Sequence, residues 1–139
     1  MGFYKNPDSL PYYADLVRLR EVLASELTII DVDLRRIFPF SCCNDSARAV
    51  YLKTGLEEIG GYFTFSHVPE LNNQMDQKHA WNYDSERNLW VDLTMKQFGN
   101  YPEIAILKPD HRILRLDGEL TEIQRGMNLP DATRTIKHL

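Results

Sequence analysis

A chain of 139 residues, 43% of them apolar, is long enough to bury a core as one domain and too apolar for a disordered polar chain. Its net charge of -4 is spread without long runs and gives no basic footprint for nucleic acid. No stretch has the apolar length of a membrane span or a secretory leader, so the expectation is a single cytoplasmic domain over 1–139. Delivery as an effector by a route without a classical signal stays open.

In chain order, the first element is an amphipathic helix after Pro11, marked by Leu16, Leu19, Leu23 and Leu27 and widened by Val17 and Ala24. Next comes Phe38-Pro39-Phe40-Ser41-Cys42-Cys43-Asn44-Asp45-Ser46-Ala47. Pro39 blocks a helix through Phe38, and Ser41, Asn44 or Asp45 can cap one that starts near Cys43. Ala47, Val50 and Tyr51 or Thr54 then recur at helical spacing, and Gly55 suits the helix end. Gly60-Gly61 leads into an aromatic strand over Tyr62–Phe65. A polar stretch from Ser66 to Lys78 reads as a loop at the mouth of a site. Strands follow over Lys78–Tyr83, Leu89–Thr94, Ile104–Leu107 and Arg112–Leu116, with a helical turn or two over Thr121–Gly126. The tail after Pro130 has little to bury. Helices first and an antiparallel sheet behind them make an α+β fold.

Lys78–Tyr83 and Leu89–Thr94 read as a β-hairpin. Strand side chains alternate, so His79, Trp81 and Tyr83 share one face, and Trp90, Asp92 and Thr94 share a face of the return strand. With Asp84–Arg87 as the loop, Tyr83 faces Asn88, Trp81 faces Trp90, and His79 faces Asp92. Opposed residues lie about 5 Å apart at Cβ, within reach of an imidazole–carboxylate hydrogen bond. The competing reading is a surface hairpin with a solvated His and Asp.

A thiol in the first turn of a helix meets unpaired N–H groups and a dipole that favour the thiolate. Cys43, His79 and Asp92 therefore have the types and order of a nucleophile, its base and the group orienting that base. Cys42 reads as a small buried hydrophobe. Two adjacent cysteines lack the gap of zinc-chelating pairs and form no disulfide framework, so no metal or cofactor is expected. Around the three, Thr94 and Gln97 read as hydrogen-bonding support for the Asp92 turn, and Asp45 as a cap or dipole partner. Trp81 either shields the His–Asp pair from water or contacts substrate. His67 reads as a structural or exposed histidine, with a place at the border of the pocket as the alternative, while His111 and His138 carry no assigned role.

Cys43-x-x-x-Ala47 before a helix, then His79-Ala80-Trp81, then Trp90-Val91-Asp92-Leu93-Thr94 resembles the core of the transglutaminase-like cysteine enzymes, which belong with the papain-like fold. Phe38-Pro39-x-x-Cys42-Cys43-x-Asp45-Ser46, with Val91-Asp92-Leu93-Thr94-x-x-Gln97-Phe98, is similar to small bacterial domains of that group. The resemblance covers residues 36–107 and implies Cys43 as nucleophile, His79 as base and Asp92 as orienter. It implies a thioester intermediate on a protein or peptide substrate, in a peptidase, a glutamine deamidase or a transglutaminase. Two features depart from the pattern: the Cys-Gly-Ser-Cys-Trp signature is absent, and no Gln shortly precedes Cys43 to donate to an oxyanion. The alternative is an idle protein-binding module of the same fold.

Overall fold

The computed structural model describes residues 3–26, 43–64, 76–109 and 113–116. Two helices, α1 (Tyr13–Glu26) and α2 (Cys43–Thr54), pack on five strands. These are β1 (Glu57–Phe63), β2 (Gln77–Asp84), β3 (Leu89–Asp92), β4 (Ala105–Leu107) and β5 (Leu114–Leu116), in the order β4-β3-β2-β1-β5. Every neighbouring pair is antiparallel, which makes the layout α+β. No helix among the described residues is long and apolar enough to cross a membrane. Leu27, the turn over 121–126 and the tail after 130 lie outside the described residues.

Helix α1 forms where the leucine spacing places it. Leu16, Leu19 and Leu23 are fully buried against Ala49 and Val50 of α2 and against Leu89, Val91, Leu93 and Ile106 of the sheet side. Burying each leucine contributes roughly 1.5–3 kcal/mol. Helix α2 starts at Cys43 and stops at Gly55, whose φ of 80° is a left-handed conformation that suits glycine. The Gly55 amide donates to the Tyr51 carbonyl at 2.8 Å. Thr54 Oγ1 donates to the Val50 carbonyl at 2.6 Å and accepts from the Leu56 amide at 3.2 Å, which turns the chain into β1. Of the two candidates for the last apolar position, Thr54 is half-buried and Tyr51 faces outward.

The opposite face of the sheet carries a second, aromatic core of Phe63, Trp81, Trp90, Met95, Leu107, Ile113 and Leu114. The two glycines do not precede the aromatic strand as expected but lie inside it, since β1 runs from Glu57 to Phe63. Gly61 sits directly across from His79, and a Cβ there would run into the Arg115 carbonyl of β5 and the Trp81 ring. Close approach of two neighbours, rather than a turn, explains that glycine.

The hairpin register is offset by two residues from the expected one. Asp84 pairs with Leu89, Tyr83 with Trp90 and Asn82 with Val91, so the loop is Ser85–Asn88. Because the offset is even, every side chain keeps its face. The cause is the Asp84 carboxylate, which is buried. Its Oδ1 accepts the Glu86 and Arg87 amides at 3.1 and 3.2 Å, while Oδ2 accepts Tyr12 Oη at 2.6 Å and Arg87 Nη1 at 3.3 Å. Asn88 takes a φ of 56° and its side chain accepts from Tyr83 Oη at 2.8 Å, closing the loop. Burial and then the bond to Asp84 push the Tyr12 hydroxyl up, so it remains the donor.

Tyr12→Phe leaves the Asp84 carboxylate short of one donor and is expected to lower unfolding free energy by about 1–3 kcal/mol. Asp84→Ala should cost more, because two loop amides also lose their acceptor. Urea titrations followed by circular dichroism measure both.

Candidate active site

Strand β2 pairs with β1 over residues 77–83 but with β3 only over 82–84. Beyond Asn82 and Val91 that second ladder ends, and there His79 and Asp92 meet. His79 is therefore diagonal to Asp92 rather than opposite it, with Asp92 at the level of Trp81. The His79 Nε2–Asp92 Oδ2 distance is 2.5 Å, and both side chains are buried. The second carboxylate oxygen, Oδ1, accepts the Thr94 amide at 2.8 Å and Thr94 Oγ1 at 3.1 Å. This is a side-chain-to-backbone turn that a residue such as Asp makes two positions on. Gln97 lies in the following 3-10 turn, Met95–Phe98, and its amide donates to the Thr94 carbonyl at 3.1 Å.

Aromatic rings fix the imidazole. Trp81 stacks on it with centroids 5.9 Å apart at 24°, and Phe98 meets it edge-on at 4.9 Å and 82°. With Nε2 taken by Asp92, Nδ1 is the remaining ring nitrogen, buried and without a hydrogen-bond partner. Trp81 is itself buried in the aromatic core, 1% exposed.

Cys43 reaches this pair from the other side. It is the first residue of α2, half-buried, and packs with Ala47 against Ala80, the neighbour of His79. Asn82 sets the height of the helix: its Nδ2 donates to the Ala47 carbonyl at 2.9 Å and to the Leu56 carbonyl at 3.3 Å. An Arg48–Glu58 ion pair at 3.3 Å ties α2 to β1. Asp45 is fully buried in the same first turn as Cys43, where a carboxylate favours the helix dipole.

Burial alone would strip the proton from His79. The Asp92 charge and hydrogen bond oppose it, Cys43 acts in the same direction, and the balance raises the imidazole from 6.5 to about 10. A ring anchored through one nitrogen, with a thiol facing the other, can accept the thiol proton and return it to a leaving group.

Cys43, His79 and Asp92 are thus brought together, with Thr94 on Asp92 and Asp45 beside Cys43. Cys42, His67, His111, His138 and residues 66–75 of the expected mouth loop lie outside the described residues. Sequence reasoning missed Asn82, Gly61 and Phe98. A signal for Asn82 existed, since an amide stands between Ala80 and Asp84 on the helix-facing side of a buried strand. Among the described residues, no group of three or more His, Cys, Asp and Glu is arranged to hold a metal ion.

The folded imidazole holds its proton up to about 10 and the unfolded one only to 6.5, so between these values the folded state binds more protons. This contribution to stability is complete below pH 6.5 and is lost as pH rises through 10. Asp92→Asn should flatten that decline. Urea midpoints of both proteins across the window measure it.

No family model matches the chain, and neither a curated protein nor a solved structure does.

Proposed function

We propose that this chain is a cysteine enzyme that hydrolyses an amide by acyl transfer, built on a transglutaminase-like version of the papain-like fold. The observation that carries the proposal is the buried His79 ring, held to Asp92 through Nε2 and leaving Nδ1 for Cys43. The sequence resemblance over 36–107 adds to it.

In this reading His79 holds the thiol proton, and Cys43 Sγ attacks the substrate carbonyl carbon. The tetrahedral oxyanion forms beside the first turn of α2, whose amides have no acceptor within the helix. Collapse breaks the C–N bond, and the amine leaves with the proton from His79. Water then attacks the thioester as His79 takes its proton, and the acid is released with the thiol restored. Asp92 keeps the ring oriented and stabilises its charged form throughout. The substrate is a protein or peptide, cleaved at a side-chain amide or a peptide bond. In this reading hydrolysis is preferred to cross-linking.

Incubation with a Gln-rich peptide and a labelled primary amine, reading ammonia, incorporated label and peptide fragments, tests this. Ammonia release exceeding incorporation is expected; fragments without ammonia mark a peptidase, and equal or greater incorporation a transglutaminase. Absence of all three, with a thiol no faster than free cysteine toward iodoacetamide near neutral pH, overturns the enzymatic reading.

Cys43→Ala should abolish activity and fast alkylation, while Cys42→Ala keeps most of both. His79→Ala and Asp92→Asn should each lose about 10²–10⁴-fold in rate. Circular dichroism is expected to show Asp92→Asn still folded.

A further inference from the structure

We propose that Gly61 is a positioning residue for His79: its missing side chain leaves the room in which the Trp81 indole lies face-on against the imidazole. The inference rests on the reading of His79 as the base, and extends it to a residue of a neighbouring strand that touches no reacting group.

The geometry is local. Gly61 and His79 are direct partners in the β1–β2 ladder, so the missing Cβ lies on the face that carries His79 and Trp81. A Cβ built on Gly61 would stand 2.6 Å from Trp81 Cη2, and closer still to the Arg115 carbonyl oxygen of β5. The β5 contact is with backbone and fixes how near that strand lies. The Trp81 contact is with the outer edge of the ring that stacks on His79 at 5.9 Å and 24°. A methyl group would have to tilt or slide this ring. Trp90 meets Trp81 at 5.3 Å and 72°, which narrows the indole's freedom to move aside.

The stack has an electrostatic effect. A tryptophan face about 6 Å or less from a cation favours the charged form, more so where water is excluded. The indole thus acts on the imidazolium alongside Asp92 of β3 and Cys43 of α2, the titratable groups acting on the ring. Gly61 from β1 and Phe98 from the 3-10 turn present no charge to it. The consequence is a larger fraction of imidazolium, the form that pairs with a thiolate.

The test is an NMR titration of the His79 ring in the full chain, with the pH dependence of Cys43 alkylation in parallel. Trp81→Leu is expected to lower the proton affinity of His79 about tenfold, and Trp81→Phe by about threefold. Gly61→Ala should shift the titration in the same direction, and by less when Trp81 is already Phe, since the colliding ring edge is gone. A His79 titration unmoved by Trp81→Leu overturns the proposal. So does a Gly61→Ala shift of equal size in both backgrounds, which would leave Gly61 as packing for β5 alone. If Gly61→Ala fails to fold alone, its folding in the Trp81→Phe background supports the collision with the indole, and failure in both backgrounds overturns the proposal, leaving Gly61 as packing for β5. The titration needs no substrate, so its failure would leave the acyl-transfer reading standing, and an inactive protein would leave the titration result intact.

Discussion

Burying an imidazolium beside a carboxylate costs several kcal/mol per ion in lost hydration, and hydrogen bonds to the carboxylate's remaining lone pairs offset part of that cost. The site is organised by that demand. Asp92 uses both oxygens, one on His79 and one on the amide and hydroxyl of Thr94. His79 uses Nε2, and two aromatic rings exclude water from its surface. One nitrogen remains, and the thiol of Cys43 is the group that acts on that side. Removing any support would make the buried charge more expensive, which links the chemistry of the site to the stability of the domain.

Strand β2 serves both halves of this arrangement by alternation alone. Its His79, Trp81 and Tyr83 lie on the aromatic side, and Ala80, Asn82 and Asp84 on the helical side. Ala80 is small enough for α2 to come close, Asn82 bonds two carbonyls at the ends of the segment from Ala47 to Leu56, and Asp84 receives Tyr12 just before α1. Buried polar groups of this kind specify position more than they add stability. Here they set where the helix that carries Cys43 stands relative to the strand that holds His79.

Much of this layout was legible in the residues. Leucines at helical spacing mark α1, and the Pro39 block, the polar cap candidates and the Ala47–Val50 spacing up to Gly55 mark α2 with its start near Cys43. His79 and Asp92 were found by strand alternation, and the two-residue error in register did not separate them because it preserved parity. What decided the register was not local: Asp84 closes the loop with help from Tyr12, 72 positions away. Gly60-Gly61 reads from sequence as the lead-in to the strand over Tyr62–Phe65, whereas Gly61 lies inside β1. Its actual reason is a ring and a carbonyl contributed by two other strands. Likewise, spacing alone marks Asn82 as unusual without naming the carbonyls it holds.

The anchoring of the hairpin at Asp84 has a consequence for how this fold tolerates change in length. Register is counted outward from the Asp84–Leu89 pair, so the Ser85–Asn88 loop can differ in size without disturbing the site, provided Asp84 keeps its acceptor role. Between Leu89 and Asp92 no such freedom exists. One residue added there would rotate Asp92 to the helical face and carry a carboxylate into the leucine core, while two would restore its side but move it a full repeat along the strand. Length can therefore change at the hairpin tip, and the four residues from Leu89 to Asp92 act as a ruler of fixed length.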